Sequence, residues 1–373
     1  MTKFTDFYRI NQPIDTFALG HYARVFNADQ LETGASVAFK VMRAEHLNSD
    51  GELRWEYRAF ANEAEILMAL AESPHTVKLL ECGFVSSEEE APTKGKIERM
   101  GLDVANFSRS LSRYSYEAWR PYLVLEELPR SNNLFYLMKP SSPGTRWRLP
   151  SEEGLSLALQ FANLLRTAHE KNIVYLDHKL EHVYWDGVHL QIIDFNSSQQ
   201  LSGKTGLEMQ KAKDIHNLCV GILYPIFTGM TPQKTALLPQ PGSFSEVQER
   251  YTDITSLDFN MEPSLSTALQ ELLQSGARQG IANVTQFIDA LQAVAKLHGW
   301  DFPNHYAAPE SRVAREHLRN GIRSLRQGEN ALREARDLFR EALILEGISE
   351  DMEDELRRMV KAVNDMLNSR VIP

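Results

Sequence analysis

The chain has 373 residues, of which 43% are hydrophobic and 24% charged, and its formal net charge is −10. This length is sufficient for two or three domains with a sizeable core. The negative charge argues against general binding to nucleic acid or to anionic membranes, and no apolar run approaches the roughly 20 residues that a membrane helix needs. Cys82 and Cys219 stand in apolar surroundings, which favours buried thiols over a disulfide and predicts a cytoplasmic protein.

Strands dominate the first third of the predicted secondary structure. Residues 31–34 form a turn between two predicted strands, and the apolar residues of segment 51–71 recur at helical spacing. An acidic run at 88–90 predicts an exposed loop, whereas 109–119 mixes polar and aromatic residues without a clear period. The predicted elements are strands at 17–25, 36–42, 76–84 and 121–128 and a helix at 51–71.

From residue 151 onwards the chain is mainly helical. Ser151 is expected to cap a helix that runs to residue 169, because two acidic residues follow it and favour the positive start of a helix. Prolines and an asparagine at 300–309 predict a domain boundary. The charged segment 311–369 predicts three helices with breaks near Gly328 and Gly347. The other predicted elements are strands at 183–185 and 190–193 and helices at 211–229, 263–276 and 284–298.

Several short motifs occur in one order along these elements. They are V-A-F-K at 37–40, N-E-A-E-I-L at 62–67, Y-L-D-H-K-L-E-H at 175–182 and D-F-N at 194–196. At these spacings they resemble the motifs of protein kinases, and the resemblance covers residues 10–300. It implies an α+β, bilobal fold with a β-rich N-lobe at 1–128 and a helical C-lobe at 129–300, followed by a small all-α module at 310–373.

The resemblance implies roles for the charged residues of the first three motifs. Lys40 would contact the phosphates of ATP, and a carboxylate from the following helix would hold it. The spacing assigns that carboxylate to Glu63, with Glu65 as the alternative. Asp177 falls on the base that orients the acceptor hydroxyl, and Lys179 falls on the residue that neutralises the transferred phosphoryl group.

The resemblance also implies a metal site. Asp194 would chelate the Mg²⁺ ion that accompanies ATP. His182 stands where the family has an asparagine that binds a second metal ion, and imidazole suits softer ions better than Mg²⁺. A histidine ligand and a changed, single-metal or inactive site are the alternatives at this position. Asp214 resembles the aspartate that anchors the backbone of the catalytic loop.

A nucleotide slot with apolar walls and backbone hydrogen-bonding groups at one edge is a further implication of the resemblance. Adenine is expected between Val25 and Ala38 on one side and Tyr184 on the other. The residues expected at the back of this slot, in the hinge and in the phosphate-binding loop are Leu125, Glu126, Leu128 and Gly20.

Departures from the family leave the activity open. Alanines replace the outer glycines of the loop around Gly20, and alanine does not adopt positive φ freely. Leu176 replaces an arginine that reads an activation-loop phosphate, and only twenty positions separate Asp194 from Asp214, with no A-P-E triplet between them. The two hypotheses are an atypical kinase that transfers phosphate from Mg-ATP to a protein or small-molecule hydroxyl, and a pseudokinase that acts through protein partners.

The C-terminal segment carries two patterns of its own. Apolar residues of 331–345 line one helical face and resemble the second helix of a tetratricopeptide repeat. Arginines recur every three or four positions from Arg312 to Arg326, which predicts either a solvated face or a surface for an acidic partner. We therefore expect a protein partner at the C-terminal helices in addition to the nucleotide, with no nucleic-acid partner and no membrane insertion.

Overall fold

A computed structural model describes most of the chain, and the statements below refer to these residues. They are 2–14, 22–47, 53–138, 148–201, 206–232, 247, 249–260, 262, 264–299, 309–325 and 328–369. The described part begins with a sheet and continues with helices, as the sequence predicts. None of the described helices combines the length and the apolar character that crossing a membrane requires.

The N-terminal part is a single antiparallel sheet of seven strands, in the order β1-β6-β5-β7-β4-β3-β2. One face of this sheet packs against helices α1 and α2, which lie between strands in the sequence. The strands are β1 (Thr2–Lys3), β2 (Tyr8–Pro13), β3 (Ala23–Gln30), β4 (Ala35–Met42), β5 (Leu79–Val85), β6 (Lys96–Gly101) and β7 (Arg120–Glu126). The two helices are α1 (Trp55–Ala69) and α2 (Val104–Tyr116).

Only the end of the strand predicted at 17–25 falls on described residues, and there the strand continues further than predicted. β3 begins at Ala23 and continues to Gln30, and residues 15–21 lie outside the described part of the chain. Polar residues at 27 and 29 weaken the strand signal in the sequence. In the fold they are paired across the sheet, because Asn27 donates to Glu127 at 2.6 Å and Asp29 accepts from Arg9.

Segment 96–116, for which the sequence predicts no regular element, forms β6 and α2. Asp103 starts the helix, and its carboxylate accepts the backbone N–H of Asn106 at 3.0 Å. Phe107 and Tyr114, two turns apart, bury one face of α2 against Phe84 of the sheet. Serines and arginines between these aromatic residues obscure the helical period in the sequence.

The C-terminal part is helical, with two small β-ribbons. Predicted strands at 183–185 and 190–193 are present as β9 and β10, and the predicted helix at 211–229 is α5, a π-helical turn at Leu218–Leu223 and α6 in succession. The helices are α3 (Leu134–Leu137), α4 (Ser151–Glu170), α5 (Leu207–Asn217), α6 (Tyr224–Thr228), α7 (Thr267–Ala277) and α8 (Val284–Leu297). The short strands are β8 (Ile173–Val174), β9 (Val183–Trp185), β10 (Leu190–Ile192) and β11 (Gln199–Gln200).

Three helices follow, as predicted. They are α9 (Pro309–Leu325), α10 (Glu329–Leu343) and α11 (Glu350–Ser369). Gly328 and Gly347 stand at the two breaks with φ of +114° and +81°, conformations that a residue with a Cβ adopts at a cost. Residues 300–308, where the sequence predicts a domain boundary, lie outside the described part, and the boundary and the resemblance to a tetratricopeptide repeat stay predictions.

A glutamate of α11 joins the C-terminal helices to the start of α4. The carboxylate of Glu355 accepts Arg148 Nη2 at 2.6 Å, the Ser151 backbone N–H at 3.1 Å and the Ser151 hydroxyl at 3.0 Å. Both side chains of the Arg148–Glu355 pair are 1% exposed. The prediction that Ser151 caps α4 is wrong, because the helix begins at this residue and a carboxylate from another element meets its N–H instead.

Two of the arginines on α9 contact glutamates of α4 in the same chain. Arg315 is 4% exposed and lies 3.8 Å from Glu152 of α4, and Arg319 forms a salt bridge with Glu153. Glu153 also accepts the indole N–H of Trp185 at 2.7 Å. Part of the arginine surface for which an acidic partner was predicted is therefore occupied by acidic residues of α4.

We predict that Glu355→Ala lowers the free energy of unfolding by about 3 kcal/mol, because it leaves the buried Arg148 guanidinium without its nearest carboxylate. Glu353→Ala on the same helix is the matched control. Its salt bridge with Arg357 is exposed to solvent, so its loss should cost less than about 1 kcal/mol. Urea denaturation followed by circular dichroism measures both, and equal effects of the two substitutions would contradict the docking of α11.

Candidate active site

A lysine on the sheet and a glutamate on α1 form a buried ion pair. Lys40 Nζ lies 2.6 Å from Glu63 Oε2, and the two residues are 6% and 0% exposed. Glu65, the alternative partner by sequence, points elsewhere and accepts a hydrogen bond from Ser108 at 2.6 Å. The structure therefore brings Glu63, and not Glu65, to Lys40.

The same ammonium reaches the helical part of the molecule. Lys40 Nζ lies 2.8 Å from Asp194 Oδ1, in the turn that follows β10. Asp194 has a φ of +62°, which is uncommon for an aspartate. This backbone conformation turns its carboxylate towards the sheet. Three distant segments of the sequence thus place one cation and two carboxylates in contact.

The pKa directions follow from this grouping. Burial raises the pKa of Glu63, and the opposing charge of Lys40 does not fully offset that effect. For Asp194, burial acts in the same direction, but Lys40 and His182 outweigh it and hold the pKa of that carboxyl well below its usual range. Asp194 is therefore the more acidic of the two carboxylates.

The loop between β8 and β9 carries the next candidates, and Asp214 of α5 holds its backbone. Its buried carboxylate accepts the N–H groups of Tyr175 and Leu176 at 2.9 and 2.8 Å, and it lies 2.9 Å from His169 Nε2. Leu176 has a φ of +68°, a strained value for such a side chain. Asp214 thus has the anchoring contacts that its resemblance implies.

Asp177 lies on this loop between two cations. Lys179 Nζ is 2.9 Å from Asp177 Oδ2, and Arg250 Nη1 is 2.7 Å from Asp177 Oδ1. Burial alone would raise the pKa of Asp177, but Lys179, His182 and Arg250 outweigh it, and the pKa lies below its ordinary value. Sequence reasoning missed Arg250, which stands far along the chain in no recognisable motif.

His182 links the two aspartates. Its Nε2 lies 3.2 Å from Asp194 Oδ2, and its Nδ1 lies 3.0 Å from the backbone oxygen of Asp177. Ligand atoms of Asp177, His182 and Asp194 all lie within 4.8 Å of one another. Two carboxylates and an imidazole are a donor set that fits a divalent metal ion.

The residues expected around adenine share one face of the sheet. In the strand register Val25 is opposite Lys40, and Ala38 is opposite Leu125. Because side chains alternate between faces, all four project to the side that carries Lys40 and its carboxylate partners. This face is apolar beside a buried ammonium, as a nucleotide pocket requires.

Other predicted nucleotide contacts lie at the end of this face or outside the described residues. Glu126, the last residue of β7, accepts hydrogen bonds from the Lys78 N–H and from Gln191. The remaining positions are Leu128, which packs partly buried after β7, Tyr184, which lies on β9, and Gly20, which lies outside the described part of the chain.

Tyr22 occupies the space next to the ammonium. Its ring centroid is 5.4 Å from Lys40 Nζ, and the ring contacts Phe60 of α1. A cation over an aromatic face is attracted by the ring quadrupole. The sequence offers no signal for this contact beyond the neighbouring position of the two strands.

Comparison with known proteins supports the fold. No family model and no curated protein matches the chain. Among solved structures, the kinase PK-1 of the Cydia pomonella granulovirus aligns with a TM-score of 0.51 and 14% sequence identity, over 77% of this chain and 94% of that one. The chain has a protein-kinase-like fold. Its N-terminal region is an antiparallel sheet and its C-terminal region is helical, which is consistent with the bilobal fold that the resemblance in the sequence implies.

We predict that Lys40→Met lowers the free energy of unfolding by about 3 kcal/mol, because Glu63 would stay buried without a cation. Adding Glu63→Gln to that variant should recover a substantial part of the loss, since the second substitution removes the orphaned charge. Glu65→Gln, on the exposed side of the same helix, is the control and should change stability by less than about 0.5 kcal/mol. Strictly additive effects of Lys40→Met and Glu63→Gln in denaturant titrations would contradict the pairing.

Proposed function

We propose that the protein binds Mg-ATP in the cleft between its lobes and transfers the γ-phosphate to a hydroxyl group of a protein or a small molecule. The observation that carries this proposal is the contact of Lys40 with both Glu63 and Asp194. A buried ammonium that bridges the two lobes is suited to phosphate oxygens, and its carboxylate from α1 keeps it in position when a ligand takes the other contact.

Different residues around Lys40 would bind the phosphates, the metal ion and the adenine of Mg-ATP. Glu63 would hold the ammonium towards the α- and β-phosphates, while Asp194 and His182 would hold the metal ion. A divalent ion supplies neutralisation of the phosphate charge when it is bound. Val25, Ala38 and Leu125, on the shared face of the sheet, would line the adenine slot, with Tyr184 below and the hinge residues Glu126 and Leu128 at its edge.

Asp177 and Lys179 would act on the acceptor side. A carboxylate with a low pKa is a weak base, so its main contribution would be to orient the acceptor hydroxyl and take its proton late in the transfer. Lys179 would stabilise charge on the transferred group. Lys179 Nζ lies 2.9 Å from Asp177 Oδ2, and this short distance is compatible with both roles.

A pseudokinase is the second candidate, and a specific contact favours it. Both carboxylate oxygens of Asp177 already face a cation, Lys179 on one side and Arg250 on the other. An acceptor hydroxyl would have to share an oxygen of Asp177 with one of these cations or displace it. In a pseudokinase the contacts would be permanent, and the C-terminal helices would provide the surface for a protein partner.

The first test separates nucleotide binding from transfer. We expect ATP with Mg²⁺ or Mn²⁺ to raise the melting temperature of the wild type, and Asp194→Ala to abolish the metal-dependent part of this shift, by mass action. With γ-labelled ATP, we expect label on casein, on the chain itself or in released phosphate, and a loss of at least about 100-fold in Asp177→Asn. A shift of the melting temperature without phosphate transfer favours the pseudokinase. The absence of both the shift and the transfer would refute the proposal.

The second test concerns Arg250. We predict that Arg250→Gln raises the turnover of γ-labelled ATP severalfold, because it frees one oxygen of Asp177 and makes that carboxylate more basic. Arg357→Gln, an exposed arginine of α11, is the control and should have no effect. A fall in turnover as large as that of Asp177→Asn would show that Arg250 orients the base and does not block it.

A further inference from the structure

The contacts of His182 indicate which kind of metal ion the site selects. Only the location of the metal ion rests on the proposed function. The position of His182 in the loop fixes which ring nitrogen carries a proton. Nδ1 lies 3.0 Å from the Asp177 carbonyl oxygen, 3.7 Å from Asp177 Oδ2 and 3.4 Å from the Tyr175 hydroxyl. A carbonyl oxygen can only accept a hydrogen bond, so Nδ1 is the nitrogen that donates.

The Tyr175 hydroxyl does not change this assignment. It donates its own hydrogen to the backbone oxygen of Ile193 at 3.1 Å, and so it presents a lone pair to the imidazole. Nδ1 therefore faces an oxygen acceptor at each of these three contacts. In a neutral imidazole whose Nδ1 is protonated, Nε2 carries the lone pair.

The other ring nitrogen faces a carboxylate. His182 Nε2 lies 3.2 Å from Asp194 Oδ2, and the imidazole is 5% exposed. A nitrogen and a carboxylate oxygen at this separation hold either a proton or a metal ion between them, and a metal ion is what the proposed function brings to this place. A hydrogen bond from Nδ1 to a backbone carbonyl is also the arrangement that orients metal-binding histidines in proteins and strengthens Nε2 as a ligand.

Asp177 belongs to the same cluster but is the weakest candidate as a ligand. Both of its oxygens already contact cations, at 2.9 Å from Lys179 and 2.7 Å from Arg250. Asp194 has one oxygen at Lys40 and the other at His182. The geometry therefore points to Asp194 Oδ2 and His182 Nε2 as the protein ligands of one ion.

We propose that this nitrogen and oxygen pair selects a divalent transition metal ion over Mg²⁺, and Mn²⁺, the weakest binder of the first-row series, serves as the paramagnetic probe. Mg²⁺ prefers a shell made of oxygen alone, whereas imidazole nitrogen is a good ligand for first-row transition metals. Replacing the histidine by the asparagine that kinases carry at this position should move the preference back towards Mg²⁺.

The test uses the full chain with Mn²⁺, alone and with a non-hydrolysable ATP analogue. Pulsed electron paramagnetic resonance detects a bonded imidazole through the modulation caused by its ¹⁴N nucleus. We expect this coupling in the wild type and its absence in His182→Asn. His189→Asn is the matched control, because His189 is exposed on the β9–β10 turn and its removal should leave the coupling unchanged.

Competition gives the affinity side of the test. Mg²⁺ displaces bound Mn²⁺ in a titration that follows the free Mn²⁺ signal, and we expect His182→Asn to lower the Mn²⁺ to Mg²⁺ preference by at least about tenfold, since changes even in the groups around metal ligands have effects of 10- to 100-fold. His182→Gln provides a second variant if His182→Asn does not fold, as judged by circular dichroism.

The outcomes distinguish this inference from the proposed function. Absence of ¹⁴N coupling in the wild type, or an unchanged preference in the variants, would overturn the metal selectivity even if Mg-ATP still stabilises the protein. Nitrogen coupling with Mn²⁺ alone, without any effect of nucleotide on the melting temperature, would support the metal site and refute the proposed ATP binding.

Discussion

The arrangement of the candidate site depends on one buried ammonium group. Lys40 is 6% exposed and has carboxylate oxygens of Glu63 and Asp194 within 2.8 Å. Taking these charges out of water costs several kcal/mol per ion, and only close pairing offsets that cost. The pairing therefore constrains where α1 lies against the sheet and how the turn after β10 approaches it. Both constraints act on the cleft between the two lobes.

A second set of interactions fixes the loop between β8 and β9, which borders the same cleft. Asp214 holds the backbone of Tyr175 and Leu176, and this contact maintains the positive φ of Leu176. Two residues later Asp177 faces Lys179, and His182 closes the loop by contacting both aspartates. The loop is thus positioned by α5 on one side and by the contacts of His182 with Asp194 on the other, so a change in either support should displace Asp177.

The sequence was informative where the chemistry requires residues in a fixed order. Lys40, Glu63 and Asp194 could be predicted to meet because each stands in a short motif, and the glycines at 328 and 347 mark the helix breaks in the C-terminal segment. Segment 96–116 was not assignable, because the buried aromatic residues of α2 are separated by serines and arginines. The period of a helix is then visible only when the sheet against which it packs is known.

Long-range charge pairs were the other part that sequence reasoning missed. Arg250 reaches Asp177, and Glu355 reaches Arg148, across 73 and 207 positions respectively. A charged residue reads as a solvated one unless its tertiary partner is known, so neither contact has a local signal. The domain boundaries, the repeat-like tail with its protein partner, the lack of a nucleic-acid partner and the cytoplasmic location stay predictions.

A structure of the chain with a non-hydrolysable ATP analogue and a divalent metal ion tests the central claim most directly. The account predicts that the triphosphate enters between Lys40 and Asp194, that the metal ion binds Asp194, and that Lys40 keeps its contact with Glu63. A nucleotide bound elsewhere, with Lys40 and Asp194 still in direct contact, would contradict it.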